Sequence, residues 1–475
     1  MKIFQKIISS NSLTGFPALG KNNTNALDKL VALVLATAPL LQYYKGISVF
    51  HAGFLVLIVC IPYIGIRLLL RIRELEWKNL WYALPLVLFQ VYRVVAHGTD
   101  FIEFMHGVVL SAYFIAIALG GINLRYVTLS ACVISLMAGF LVIVQTISYF
   151  VFHTHLQLTA TGLLLAESEQ WVALAQTGII GITGKAGLLY RPSAFFLEPS
   201  HLLMYSMPVL FVLLLTPQMT RIKRIGAVII SLGLILSTSG MGIMLVLGVW
   251  MLQLGFSNGK ENHLAFKNLF CKQSILRCFA FLIVFCMICF ILPSLRYAVL
   301  RSVISDKQLA DIMPKTSQTL ADFRTKAFDE ISTSMSPSTS TEIAGLSDNT
   351  ATPSTSTAIS GRTEWPLIRL KQMTASELCT GVGDTLPANY DFPKPGFFAT
   401  MFKYGIIGTV ISYLYYLLCA CYTKHAYRWI AIITILLSFV DAQSHGTFCM
   451  LHYVLILMGG CYLRSRDRVG STEKT

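Results

Sequence analysis

Apolar runs long enough to cross a bilayer recur along almost the whole chain, and a soluble core has no room for so many. A spanning helix needs about 17 to 25 residues, and somewhat shorter runs can be completed by interfacial residues. About twelve such runs are legible, at 30–44, 47–70, 80–96, 101–119, 127–152, 201–215, 225–238, 240–256, 278–292, 396–418, 429–440 and 448–463. Composition agrees, since 55% of residues are apolar and only 13% charged, against roughly 25% charged in soluble domains. The expected fold class is an all-α polytopic membrane protein with about 12 transmembrane helices and two long loops on one face. Residues 1–25 carry Lys2, Lys6 and Lys21 but no compact apolar core followed by a small-residue cleavage site. The first run is therefore expected to stay in place as a membrane helix.

Basic residues orient the chain. Clusters follow each even-numbered run: Arg67, Arg71, Arg73 and Lys78; Arg125; Arg221, Lys223 and Arg224; Lys260, Lys267, Lys272 and Arg277; Lys424 and Arg428; Arg464, Arg466 and Arg468. Short loops after odd runs carry only Lys45. Positive charge favours the cytoplasmic side, so both termini are expected there. The formal charge of +14 does not imply nucleic acid, because these residues sit between apolar runs rather than along one polar face. The 11 cysteines fall mostly inside apolar runs, with no CxxC pair in a polar loop, so neither a zinc site nor a disulfide framework is expected.

That topology divides the chain in order. Residues 1–152 hold the first five helices, 153–200 the first far-side loop, 201–292 helices six to nine, 293–395 the second far-side loop, and 396–475 the last three helices and a cytoplasmic tail. Within the first loop, 163–182 is apolar enough to lie in the interface or re-enter. The centre of the second, 332–360, is rich in Ser, Thr and Pro and is expected to be flexible.

The first loop ends in "LYRPSAFFLEPSHLLMYS", which sets Arg191, Glu198 and His201 at the mouth of an apolar run. Pro199 suits the first turn of a helix, so Glu198 falls at its N-terminal edge, where the helix dipole favours a carboxylate. His201 and Tyr205 are one turn apart on the face shared with Glu198, so carboxylate, imidazole and phenol can be offered together. A charged cap paired with Arg191 and a functional site fit this pattern equally. The second loop ends with Arg362 after a glycine and a "GVGD" turn at 381–384 that lets backbone come close to a ligand. Two far-side arginines suit an anionic, diphosphate-bearing substrate, because guanidinium binds phosphate oxygens in pairs and stays charged.

Neither a P-loop nor a GxSxG motif is present, and neither loop carries a carboxylate cluster for a metal. Arg93 and His97, continued by Asp100, Glu103 and His106, form a further polar group. Another is the turn containing Asp441, Gln443, Ser444 and His445. Structural pairing is the expectation for both.

Taken together, "RPSAFFLEPSH", "SGR…W" at 360–365, "GVGD" with Asn389 downstream, and "YGIIG" at 404–408 resemble the O-antigen polymerase (Wzy-type) family, within the wider polymerase and ligase superfamily. The resemblance implies a metal-independent membrane glycosyltransferase of the bacterial inner membrane, with both long loops periplasmic and no cofactor. Its substrate would be an undecaprenyl-diphosphate-linked oligosaccharide of an O-antigen, capsule or exopolysaccharide. It also implies a setting among membrane lipids with a flippase and a chain-length regulator as partners. By the same resemblance Arg191 and Arg362 would bind the diphosphate, Glu198 or His201 would act as base, and Gly383, Asp384, Asn389 and Tyr404 would border the substrate loop.

Two rivals remain. Ligase-like relatives carry histidine just before the position matching Asn389, where this chain has Ala388, and that departure counts against joining glycan to lipid A. A transporter or flippase would place its polar site near the bilayer midplane between broken helices, whereas here polar residues concentrate in the two loops.

Overall fold

The computed structural model describes residues 25–47, 50–97, 101–154, 156, 158–159, 163–165, 191–215, 220–237, 239–256, 272–291, 370–383, 396–423, 425–439 and 450–460. A helix stands at every apolar run read from the sequence. In order they are α1 (Ala26–Leu41), α2 (Ala52–Leu70), α3 (Leu80–His97), α4 (Phe101–Ala118), α5 (Leu124–Phe152), α6 (Pro199–Leu215) and α7 (Arg221–Leu236). They continue as α8 (Gly240–Phe256), α9 (Lys272–Ile291), a short α10 (Ala375–Thr380), α11 (Gly396–Tyr422), α12 (His425–Ser438) and α13 (Met450–Gly460). Among the described residues there is no β-strand, only two isolated bridges. Among the described residues five helices are long and apolar enough to cross a membrane: Ala52–Leu70, Trp77–His97, Phe101–Ala118, Leu124–Phe152 and Gly396–Tyr422.

The helices close into a ring in which α1 packs on α5, α5 on α6, α6 on α12, α12 on α11, α11 on α3, α3 on α4, α4 on α2 and α2 back on α1. Outside it, α7 leans on α5 and α6, α8 on α6 and α7, and α9 on α8. The residues around Leu41, Ala52, His97 and Pro199 mark one end of the bundle, called here the site end.

Two helices are enclosed. In α6, 16 of 17 residues are buried, and every residue of α13 is buried too. Both are apolar on all sides, and such a helix has no face to offer water.

The proline inside α6 leaves one backbone carbonyl without its helical donor, and a neighbouring helix supplies another. Pro208 has no N–H for the carbonyl of Met204 four residues back. Tyr453 on α13 donates its hydroxyl to that carbonyl at 3.0 Å, and His452 Nε2 lies 3.0 Å from the carbonyl of Tyr205. Near Pro39 of α1, the Tyr205 hydroxyl donates to the carbonyl of Ala36 at 2.7 Å, and near Pro62 of α2 the Tyr113 hydroxyl donates to that of Leu57 at 2.8 Å. Without water at hand, such cross-helix donors are what make prolines tolerable.

Close packing of small residues joins α5 to α7, where a Cβ on Gly233 would lie 2.5 Å from the Cα of Gly139. The first helix stops at Leu41, short of the expected end at 44. Tyr43, Tyr44 and Lys45 leave it to pair with 163–165, Lys45 N–H donating to Leu163 O at 2.8 Å and Leu165 N–H to Tyr43 O at 2.9 Å.

Candidate functional site

One side chain organises the end of the first loop. Gln145 is the sole amide in a 29-residue apolar helix. Its Nε2 donates to the carbonyl of Leu156 at 2.8 Å, while its Oε1 accepts from the N–H of Ala194 at 2.9 Å. Both ends of the loop are thereby fastened to α5. Beyond Ala194, which sits at φ 55, the Ser193 hydroxyl donates to Phe196 O at 2.8 Å and closes a tight turn. A non-glycine residue in the left-handed region is uncommon and persists where its surroundings fix it, often at functional sites.

This pinned turn delivers Arg191, half-buried, and then Glu198 to the entry of α6. The Glu198 carboxylate is 38% exposed, accepts a hydrogen bond from the Ser200 hydroxyl, and lies 3.4 Å from His201 Nε2. His201 is buried behind it, with a side chain only 8% exposed and its ring stacked on Tyr43 at 4.6 Å. The expected face of carboxylate, imidazole and phenol is therefore incomplete. Tyr205 is spent on the Ala36 carbonyl and on a 4.3 Å ring stack with His452, away from Glu198. A half-open carboxylate backed by an imidazole can take a proton from a hydroxyl, and an arginine on the same turn can hold an anion.

The second loop returns to the bundle through a break in α11. At Gly405 the backbone leaves helical geometry (φ 64, ψ −171), which frees carbonyls upstream. The Val382 N–H donates to Phe402 O at 3.1 Å, the Gly383 N–H to Lys403 O at 2.8 Å, and the Tyr92 hydroxyl is shared between Tyr404 O at 3.1 Å and Thr380 O at 2.9 Å. The "GVGD" and "YGIIG" stretches, 20 positions apart in the chain, thus interlock. The backbone of 381–383 packs directly on α11. Tyr404 is buried against Phe89 and His97, with the Arg93 guanidinium over its ring at 5.4 Å.

Leading into this turn, α10 opens with a reciprocal cap between Thr374 and Glu377. The Thr374 backbone N–H, and then its hydroxyl, hold the exposed Glu377 carboxyl below the usual carboxylate range.

Arg93 also meets Glu103 at 2.6 Å, and Glu103 lies 3.9 Å from His106, which stacks on His51 at 5.6 Å. Structural pairing, expected for this group, is what occurs for Arg93, Glu103 and His106.

Arg362, Asp384 and Asn389 lie outside the described residues, as do Asp100, Ala388, Asp441, Gln443, Ser444, His445 and the tract 332–360. Among the described residues, no three of His, Cys, Asp or Glu are grouped to hold a metal ion, and no disulfide occurs. Gln145, Tyr43 and Tyr92 escaped the sequence reading. Of these only Gln145 had a signal, as a lone amide deep in an apolar run. Comparison with protein-family models, with curated proteins and with solved structures finds no match.

Proposed function

We propose that the chain is a polysaccharide polymerase that moves a growing glycan from its undecaprenyl-diphosphate carrier onto a new lipid-linked repeat unit at the outer face of a bacterial inner membrane. The observation that carries the reading is the Gln145-pinned turn, which sets Arg191 and a half-open Glu198 at the mouth of an enclosed helix, with His201 directly behind. Twelve spans with both termini in the cytoplasm complete the proposal, a topology supported by the basic clusters that follow each even-numbered apolar run in the sequence.

In the proposed reaction, an acceptor hydroxyl attacks the anomeric carbon of the donor glycan. Its C–O bond forms as the bond from that carbon to the diphosphate oxygen breaks, and undecaprenyl diphosphate leaves. Glu198 takes the hydroxyl proton. Arg191, with Arg362 brought from the second loop, holds the diphosphate and stabilises the charge that grows on it, the kind of electrostatic term that usually contributes most to catalysis. The donor is already activated, so no sugar nucleotide or ATP enters.

Deleting the gene from its host and comparing glycans tests this. The expected result is single repeat units attached to lipid A, or short lipid-linked units where no lipid A acceptor exists. Long unattached polymer indicates a ligase, and absence of exported glycan indicates a flippase. Complementation with Arg191→Lys, which keeps charge but loses the paired geometry, is expected to lower polymer yield by about 100-fold or more. A normal length distribution from that variant contradicts the assigned role.

A further inference from the structure

Behind Glu198 lies a small, partly open pocket with about 20 Å³ of free space, lined by Gln42, Tyr43, Phe196, His201, Tyr205 and His452. A void of this size holds one water, which needs roughly 10–15 Å³ and two to four polar partners. The walls provide them. His201 Nδ1 and His452 Nδ1 are both buried with no hydrogen-bond partner among the described residues, while His452 Nε2 is committed to the Tyr205 carbonyl. As a donor there, Nε2 carries the proton of the neutral ring, which leaves Nδ1 as an acceptor. The same tautomer at His201 puts the proton on Nε2, which lies 3.4 Å from the Glu198 carboxylate without a hydrogen bond between them, and leaves its Nδ1 as an acceptor too. Two imidazole acceptors around a one-molecule void call for something that donates twice, and a purely apolar cavity would stay dry. The Gln42 amide on the same wall can donate in return.

We propose that a single resident water bridges His452 to His201 in this cavity, and that His452 thereby acts as a positioning residue that fixes the tautomer of His201 and turns its N–H toward Glu198. The presence of the water is independent of the reaction, whereas its consequence for catalysis rests on the polymerase reading. The chain of contacts runs from the enclosed core outward: Tyr205 carbonyl, His452, water, His201, Glu198. A base held from behind in this way keeps its orientation without a second charge in the bundle.

Two measurements on the full-length protein separate these parts. A density map at about 2 Å is expected to show one peak within hydrogen-bond distance of both imidazoles; an empty cavity, or rings in direct contact, overturns the water. For positioning, His452→Asn places an amide where Nδ1 stood and keeps the partner for the water, while His452→Gln places its amide where Nε2 stood and keeps the bond to Tyr205. Chain elongation is expected to survive better in His452→Asn, with His452→Gln lower by about tenfold. A merely structural role for His452 gives the reverse order, tracking unfolding temperature, and that order overturns the proposal. If the unmodified protein elongates nothing, the polymerase reading has failed instead, and the map alone decides the water.

Discussion

Gly405→Val is expected to disrupt the junction between α11 and the end of the second loop, at a cost of about 4 kcal/mol or more. Two effects add. Gly405 sits at φ 64, a region that β-branched residues hardly enter, and any Cβ there would lie 2.2 Å from the carbonyl of Cys379. Relief requires 379–383 to move away. That movement strips Phe402 O and Lys403 O of the N–H donors they receive from Val382 and Gly383, in a setting with little water to replace them. Thermal unfolding of the purified protein in detergent measures the loss, together with limited proteolysis near residue 380. Gly248→Ala is the control, since a Cβ there meets nothing within 4 Å. A Gly405→Val protein as stable as that control would show that the interlock contributes little.

At the opposite end of the bundle, Asp28→Leu is expected to destabilise by about 3–5 kcal/mol. Asp28 is 4% exposed and forms an ion pair with Arg67, itself 12% exposed, while accepting the Tyr63 hydroxyl at 2.7 Å. Removing the carboxylate leaves a buried guanidinium without its counter-charge. Replacing both partners removes that penalty, so Asp28→Leu combined with Arg67→Met is expected to regain most of the lost stability. The double variant read against the two single ones gives the coupling directly. A double variant no better than Asp28→Leu alone would mean that the pair is not what the stability of α1 on α2 depends on.

These two sites mark the limit of what residue patterns disclose. Helices could be placed to within a few residues because membrane-length apolar runs leave few alternatives. The early end of α1 escaped notice, since it depends on pairing between Tyr44 and Leu164, distant in sequence. The entry of α6 was legible as a polar turn before an apolar helix, and Pro199 does open that helix. What could not be read was that α6 is enclosed on all sides, because a run that is apolar throughout looks the same whether lipid or protein covers it. Tyr205 shares a helical face with His201, yet its hydroxyl goes to a backbone carbonyl of another helix, that of Ala36 in α1. Likewise the glycine at 381 signalled a close backbone approach, and the backbone it meets is that of 403–405, whose own glycine at 405 carried no such signal.

The central claim concerns Glu198 at the mouth of α6, and reconstitution tests it most directly. Purified protein in liposomes would be given lipid-linked repeat units isolated from cells lacking the protein, with no nucleotide sugar or ATP. The expected result is a ladder of polymers from the unmodified protein and single units only from Glu198→Gln, with both proteins unfolding at the same temperature. A full ladder from Glu198→Gln would remove Glu198 as the base, and no ladder from the unmodified protein would contradict the polymerase itself.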